Sequence, residues 1–215
     1  ISAVESAVNQ SNIIEARSEA LTTSAMVRAG ENFQRAEVKG IEPPFPLVGN
    51  FVLSDGKPFD FSLLENQGAV VQELLLEKLN VKVGDSISLG NVDFRIRGTF
   101  NEEPGGSSGF RLGLRVFIEK KAFDTAGLSR FGGRVRRQIL YRTSADPTPV
   151  VKALRDALEG TILTVSSYKE AEESLGDQFA RTENYLSLTG LLILVLGGIG
   201  VWNVARVFVE QKRKT

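Results

Sequence analysis

The chain has 215 residues, 42% of them hydrophobic and 24% charged, with 26 basic and 26 acidic side chains and a formal net charge of zero. That is ordinary globular chemistry, with no global field to recruit nucleic acid or an anionic membrane. The absence of cysteine and histidine excludes thiol nucleophiles, disulfides, Cys/His zinc sites and imidazole bases.

At the N-terminus, Ile1, Val4 and Val8 recur at helical spacing before the polar run Asn9 to Asn12, which predicts a short helix and its stop. The sequence opens without Met, a basic leader or a signal-type apolar run, and reads as a segment of a longer protein. Leu21 to Arg28 and Phe33 to Ile41 are rich in β-formers and flank Ala29-Gly30-Glu31-Asn32, which predicts a hairpin. Pro43, Pro44 and Pro46 forbid a ladder in EPPFPLVGN, so Glu42 to Asn50 is expected as a loop or sheet edge. GAVVQ (Gly68 to Gln72) reads as a buried strand and ELLLEKLN (Glu73 to Asn80) as one or two helical turns.

In Val81 to Phe100, Ile87 and Leu89 alternate with serines, while Val92, Phe94 and Ile96 alternate with charges. Gly90-Asn91 separates the two runs, so a tight hairpin with one buried face is predicted. After the loop Asn101 to Phe110, LRVFIEK (Leu114 to Lys120) predicts a strand, Lys121 to Thr125 a short helix, and Arg134 to Arg142 another strand. Asp146 is placed to cap the next helix, with Pro147 in its first turn, Val150, Val151, Leu154 and Leu158 on one face, and Gly160 ending it. With Thr161 to Ser167 read as a strand, this makes a βαβ unit with parallel strands. The soluble part is therefore expected to be α+β.

Ser167 and Glu170 form a capping-box signature, and Tyr168, Ala171, Leu175 and Phe179 recur at about one helical turn. No proline interrupts the chain from there to its end, and no residue from Asn184 to Ala205 is charged, roughly 33 Å of helix. Such a run spans a hydrocarbon core. Arg206, Lys212, Arg213 and Lys214 follow it against Glu210 alone, whereas Glu170, Glu172, Glu173, Asp177 and Glu183 precede it. The positive-inside rule then puts the C-terminus in the cytoplasm and residues 1 to about 183 outside. The expected division is an extracytoplasmic domain at 1–166, a stalk helix at 167–183, a transmembrane helix at 184–209 and a basic cytoplasmic flank at 210–215. Tyr168, Leu175 and Phe179 would dock the stalk on the domain, a role not separable from ordinary packing. Gly190, Gly197 and Gly200 would admit a neighbouring membrane helix, or simply reflect how common glycine is in such spans.

Other constellations are less informative. EEPGGSSGF lacks the Gly-Lys-Ser/Thr ending of a phosphate loop and reads as a surface loop. Arg130, Arg134, Arg136, Arg137 and Arg142 could meet anionic headgroups, but arginines alternating on a strand usually form a solvated face. Glu102, Glu103 and Asp55 have no partner nucleophile, base or metal cluster in the sequence.

The order FPLVG (Phe45 to Gly49), Val70 to Phe100, RVFIEKKAFDTAGL (Arg115 to Leu128), GGRVRRQILYR (Gly132 to Arg142) and a final membrane helix resembles the FtsX-like, MacB-type ABC transporter permeases. Within that group, which includes the lipoprotein releasers LolC and LolE, it most resembles YbbP-type permeases. The likeness covers most of Ala20 to Thr215 in individually weak motifs. It implies a MacB-like periplasmic domain in the bacterial inner membrane and a non-catalytic permease subunit without a cofactor of its own. ATP and Mg would be bound by a separate cytoplasmic ABC ATPase, whose closure moves the domain on a lipid, lipoprotein or other hydrophobic cargo. A second permease copy or half is implied, and no nucleic acid. A helix from Tyr168 to Phe208, about 60 Å long, would carry the displacement. The other function class left open is a membrane-anchored extracytoplasmic binding or sensor domain.

Overall fold

Two glycine turns organise the sheet. The computed structural model describes residues 14–103, 113–129, 134–158, 160–168 and 185–200, with 202 and 206. They belong to two units, one at 9–146 and one at 1–8 with 147–215; the helix expected at Ile1 to Val8 lies outside the described residues. In the first unit, β1 (Ala16–Ala29) and β2 (Asn32–Ile41) form the expected hairpin, closed by Gly30-Glu31. The second hairpin, β4 (Ser86–Leu89) and β5 (Val92–Phe100), is closed by Gly90-Asn91. Both turns put glycine at positive φ, 59° at Gly30 and 58° at Gly90, as tight hairpins require. At Gly90 space is limiting as well, because a Cβ would lie 2.1 Å from the Ala126 carbonyl oxygen.

β3 (Gly68–Gln72) leads into α1 (Glu73–Leu79), and β6 (Leu114–Glu119) into α2 (Lys120–Thr125), as the sequence predicts. β2 runs parallel to β6, β6 antiparallel to β3, β3 parallel to β5, β5 antiparallel to β4, and β4 returns antiparallel to β1. Six strands thus close into a ring, which removes their edges. β7 (Arg136–Arg142) lies outside it, antiparallel to the first half of β1.

Val27, Val38, Val71, Ile87, Phe94 and Ile118 fill the ring. Leu75 and Leu79 of α1 and Phe123 of α2 join them, each fully buried and contributing about 1.5–3 kcal/mol. A second core lies on the outside of the sheet, where the irregular segment after β2 folds across Val70, Phe100 and Phe117. A bulge in β5 serves both: the register passes from Ala69 opposite Ile96 to Val70 opposite Gly98, skipping Arg97. Phe94 and Ile96 therefore point into the ring, while Phe100, still in the same alternation, points outward. The single buried face expected for this hairpin is in fact two.

In the second unit, α3 (Thr148–Ala157) is capped by Pro147, one residue later than the expected Asp146, and ends before Gly160 at φ 82°. Its Leu154 is buried. The strand expected at Thr161 to Ser167 does not form; Ile162 and Leu163 are exposed, and no neighbouring strand receives them among the described residues. The βαβ unit is found earlier instead, as β3, α1 and the parallel β5, with β4 inserted in the connection. Residues 185–200 are helical with exposed side chains. Among the described residues no helix is long and apolar enough to cross a membrane. Apart from Trp202 and Arg206, the rest of the expected span at 184–209, and all of the stalk beyond Tyr168, lie outside them.

Candidate functional site

The seam between β1 and β7 concentrates the domain's buried charge. Chain geometry brings it about: β1 enters the sheet at Ala16, β7 leaves it at Arg142, and the two are register partners. The Glu15 N–H donates to the Arg142 carbonyl at 2.9 Å. Arg142 also pairs with the Glu15 carboxylate at 3.2 Å, which accepts from Ser144 as well. Further along, Glu19 is 2% exposed, a carboxylate that needs partners at that depth. It has three, Arg137 of β7 at 2.6 Å, Lys120 of α2 at 2.9 Å and Arg17 of β1 at 3.3 Å. Glu42, just after β2, adds a second carboxylate, 2.9 Å from Lys120 and 3.4 Å from Arg17.

Burial alone would raise the pKa of Glu19, but hydrogen bonds from Arg137 and Lys120, and their charges, outweigh it and hold the group below its ordinary value. For Lys120, burial would lower the pKa; hydrogen bonds to Glu19 and Glu42 outweigh it and raise it. Glu19 and Lys120 are thus both charged around neutral pH, and their ion pairs tie β1, β7 and α2 together.

A separate carboxylate lies just after β5. Glu103 accepts from Lys39 and Arg115, each at 2.6 Å, so both oxygens are committed to cations across β2 and β6. Lys39 also sits 5.6 Å and 5.7 Å from the ring centres of Phe45 and Phe117. Phe45, Phe51, Phe59, Phe100 and Phe117 form one aromatic group with centroid spacings of 4.9–6.2 Å. The proline loop is irregular as expected, yet Phe45 fastens it to the sheet.

The sequence-predicted residues are dispersed. Tyr168 is helical and mostly exposed, whereas Leu175 and Phe179 lie outside the described residues. Gly190, Gly197 and Gly200 lie on the helical stretch 185–200 with open space where a Cβ would be. Arg206 is helical, and Lys212, Arg213 and Lys214 lie outside the described residues. Of the basic strand, Arg137 and Arg142 are held in ion pairs, Arg134 and Arg136 are exposed, and Arg130 lies outside the described residues. Asp55 pairs with Lys57 at 2.9 Å and Glu102 is exposed. Sequence reasoning missed Glu19 and Glu42. Their only signal is a charged pair, Arg17 and Glu19, set in a stretch that continues directly into a β-rich run.

Comparison with known proteins bears on this architecture. A family model described as MacB-like periplasmic core domain matches residues 1–160. An uncharacterized ABC transporter permease of Escherichia coli K12, YbbP, is 28% identical over 82% of this chain and 22% of its own length. The pyoverdine export ATP-binding/permease protein PvdT of Pseudomonas fluorescens is 25% identical over 88% of this chain and 30% of its own. The macrolide export ATP-binding/permease protein MacB 2 of Yersinia pestis is 23% identical over 95% and 31%. The chain therefore spans between a fifth and a third of these relatives. Among solved structures, the extracellular domain of the ABC-type transporter YknZ from Gram-positive bacteria superposes with a TM-score of 0.52 at 13% identity, over 72% of this chain and 81% of that one. The periplasmic region of MacB from Actinobacillus actinomycetemcomitans gives 0.51 at 17%, over 74% and 72%. At such identities the likeness is one of fold.

Proposed function

The chain belongs to the MacB-like periplasmic core domain family, and on that premise we propose that it is the extracytoplasmic part, with an adjoining membrane helix, of an ABC transporter permease in a bacterial inner membrane. The carrying observation is the family match over residues 1–160, joined to an α+β fold shared with the MacB and YknZ domains. The uncharged run from Asn184 to Ala205 and its basic exit support a membrane span after the domain. In this reading a separate cytoplasmic ATPase binds ATP and Mg. Its closure moves the helix after Ser167, and the domain passes that displacement to a lipid, lipoprotein or other hydrophobic cargo, with a second permease copy or half beside it. The buried ion pairs support a load-bearing rather than a catalytic role, since Glu19 in the seam and Glu103 across β2 and β6 are each committed to cations by direct contacts.

Val48 is well exposed on the proline loop and the chain has no cysteine of its own. In the full-length protein, Val48→Cys is expected to react with a membrane-impermeant maleimide in cells whose cytoplasmic membrane is intact. The same protein is expected to co-purify with a cytoplasmic ATP-binding subunit. Labelling only after that membrane is opened would overturn the assigned side; external labelling without any such subunit would favour an anchored binding or sensor domain.

A further inference from the structure

None of the seven residues of β7 is buried, whereas every strand of the ring places at least two side chains in a core. β7 pairs with β1 alone among the described strands, Arg142 to Arg136 against Ala16 to Thr22. Its side-chain ties are polar: Arg137 to Glu19, and Arg142 to Glu15 and to the Leu47 carbonyl oxygen at 3.4 Å. Only Ile139 and Tyr141 are even half-buried, so removing β7 from the sheet would expose little apolar surface, and the main cost would be ladder hydrogen bonds and ion pairs.

The direction of loading matters as much. The chain enters β1 and leaves β7 at the same end of their ladder, so a pull on the segment after Arg142 loads the Ala16 and Arg142 pair first. Adjacent ends drawn apart open a ladder one pair at a time, whereas shear loads every pair at once. The opening would run through Arg17 opposite Tyr141 and Ser18 opposite Leu140, then reach Glu19, opposite Ile139. There it meets resistance, because Glu19 grips Arg137 further along β7 and is itself held to the ring by Lys120.

We propose that β7 is a detachable strap: a pull beyond Arg142 opens its ladder with β1 as far as Glu19, which acts as a stop, while the six-stranded ring stays folded. The proposal rests on the reading of a domain loaded from its C-terminal side, but its test needs neither ATP nor a partner. In the full-length protein, hydrogen exchange is expected to be at least about 100-fold faster for ladder amides at 16–18 and 140–142 than for those of β3, β5 and β6. Glu19→Gln is expected to spread the fast exchange to 19–22 and 136–139 and leave the ring unchanged. Ala16 and Arg142 are register partners on neighbouring antiparallel strands at the end where opening starts, within disulfide reach. Ala16→Cys with Arg142→Cys is expected to slow exchange of 140–142 at least about 10-fold on oxidation, reversed by reductant. Exchange of 140–142 at the rate of the ring strands in the unsubstituted protein would overturn the proposal, as would a disulfide that slows the ring equally. A failed search for an ATPase partner would leave these rates as they are, so the two readings fail separately.

Discussion

Replacing Phe117 by alanine is expected to destabilise the domain by about 3–5 kcal/mol. Phe117 is fully buried and stands in the outer core between Phe45, Phe51 and Phe100, at centroid distances of 5.7, 5.2 and 5.1 Å, with the Lys39 ammonium nearby. Its loss opens a cavity at the place where the irregular segment after β2 is fastened to the sheet, and few other contacts there could collapse to fill it. Phe33→Ala is the control, since Phe33 is 61% exposed and its loss should change stability by no more than about 0.5 kcal/mol. Urea denaturation midpoints measure both. A cost below about 1 kcal/mol for Phe117→Ala would mean that the outer face is not a packed core.

Glu19→Gln carries the second large effect, about 2–3 kcal/mol at neutral pH, because it leaves Arg137 and Lys120 without the charge they flank. The pH dependence follows from the direction of the shift. A carboxylate whose folded pKa lies below its ordinary 4.5 binds fewer protons in the folded than in the unfolded chain near that pH. Its stabilisation is complete above about 4.5 and is lost as pH falls through the lower folded value. Lys120, raised above 10.5, gives the opposite limb: its contribution is full below about 10.5 and is lost as pH rises through the folded value. Thermal midpoints across that range are expected to fall at the acid end in the unsubstituted protein and to fall less steeply in Glu19→Gln. An unaltered acid limb would remove Glu19 from the account.

The parts of the fold legible in the sequence are those whose determinants are local. Gly30 and Gly90 sit between alternating apolar runs, and both hairpins form there. The α+β class and the resemblance to MacB-type permeases rest on the order of such elements, and the family match agrees with both. What escaped reading depends on partners distant in sequence. The alternation of β5 is unbroken from Phe94 to Phe100, yet the bulge at Arg97 divides it between two cores, and only the parallel partner β3 reveals that. Thr161 to Ser167 has the β-branched content of a strand but, among the described residues, no strand to pair with, so propensity alone misled. β1 begins at Ala16, five residues before the expected Leu21, in a stretch where Glu19 finds countercharges in Lys120 and Arg137 and Arg17 finds one in Glu42, all distant in sequence. Phe45, Phe51 and Phe59 lie in a segment with no period at all, and only the folded chain gathers them.

The seam of β1 and β7 joins these threads, since it is where the chain enters and leaves the domain and where its buried charge lies. If the domain is the outer part of an ATP-driven permease, the segment that follows β7 is a direct route for displacement from the membrane. The decisive measurement is hydrogen exchange across residues 16–22 and 136–142 in the full-length protein bound to the cytoplasmic ATPase proposed for it, with and without ATP turnover. The account predicts faster exchange at 16–18 and 140–142 during turnover, and loss of that response when a flexible Gly-Ser segment is inserted after Glu183 although the ATPase stays bound. Exchange in the domain that ignores ATP, or a response that survives the insertion, would contradict it.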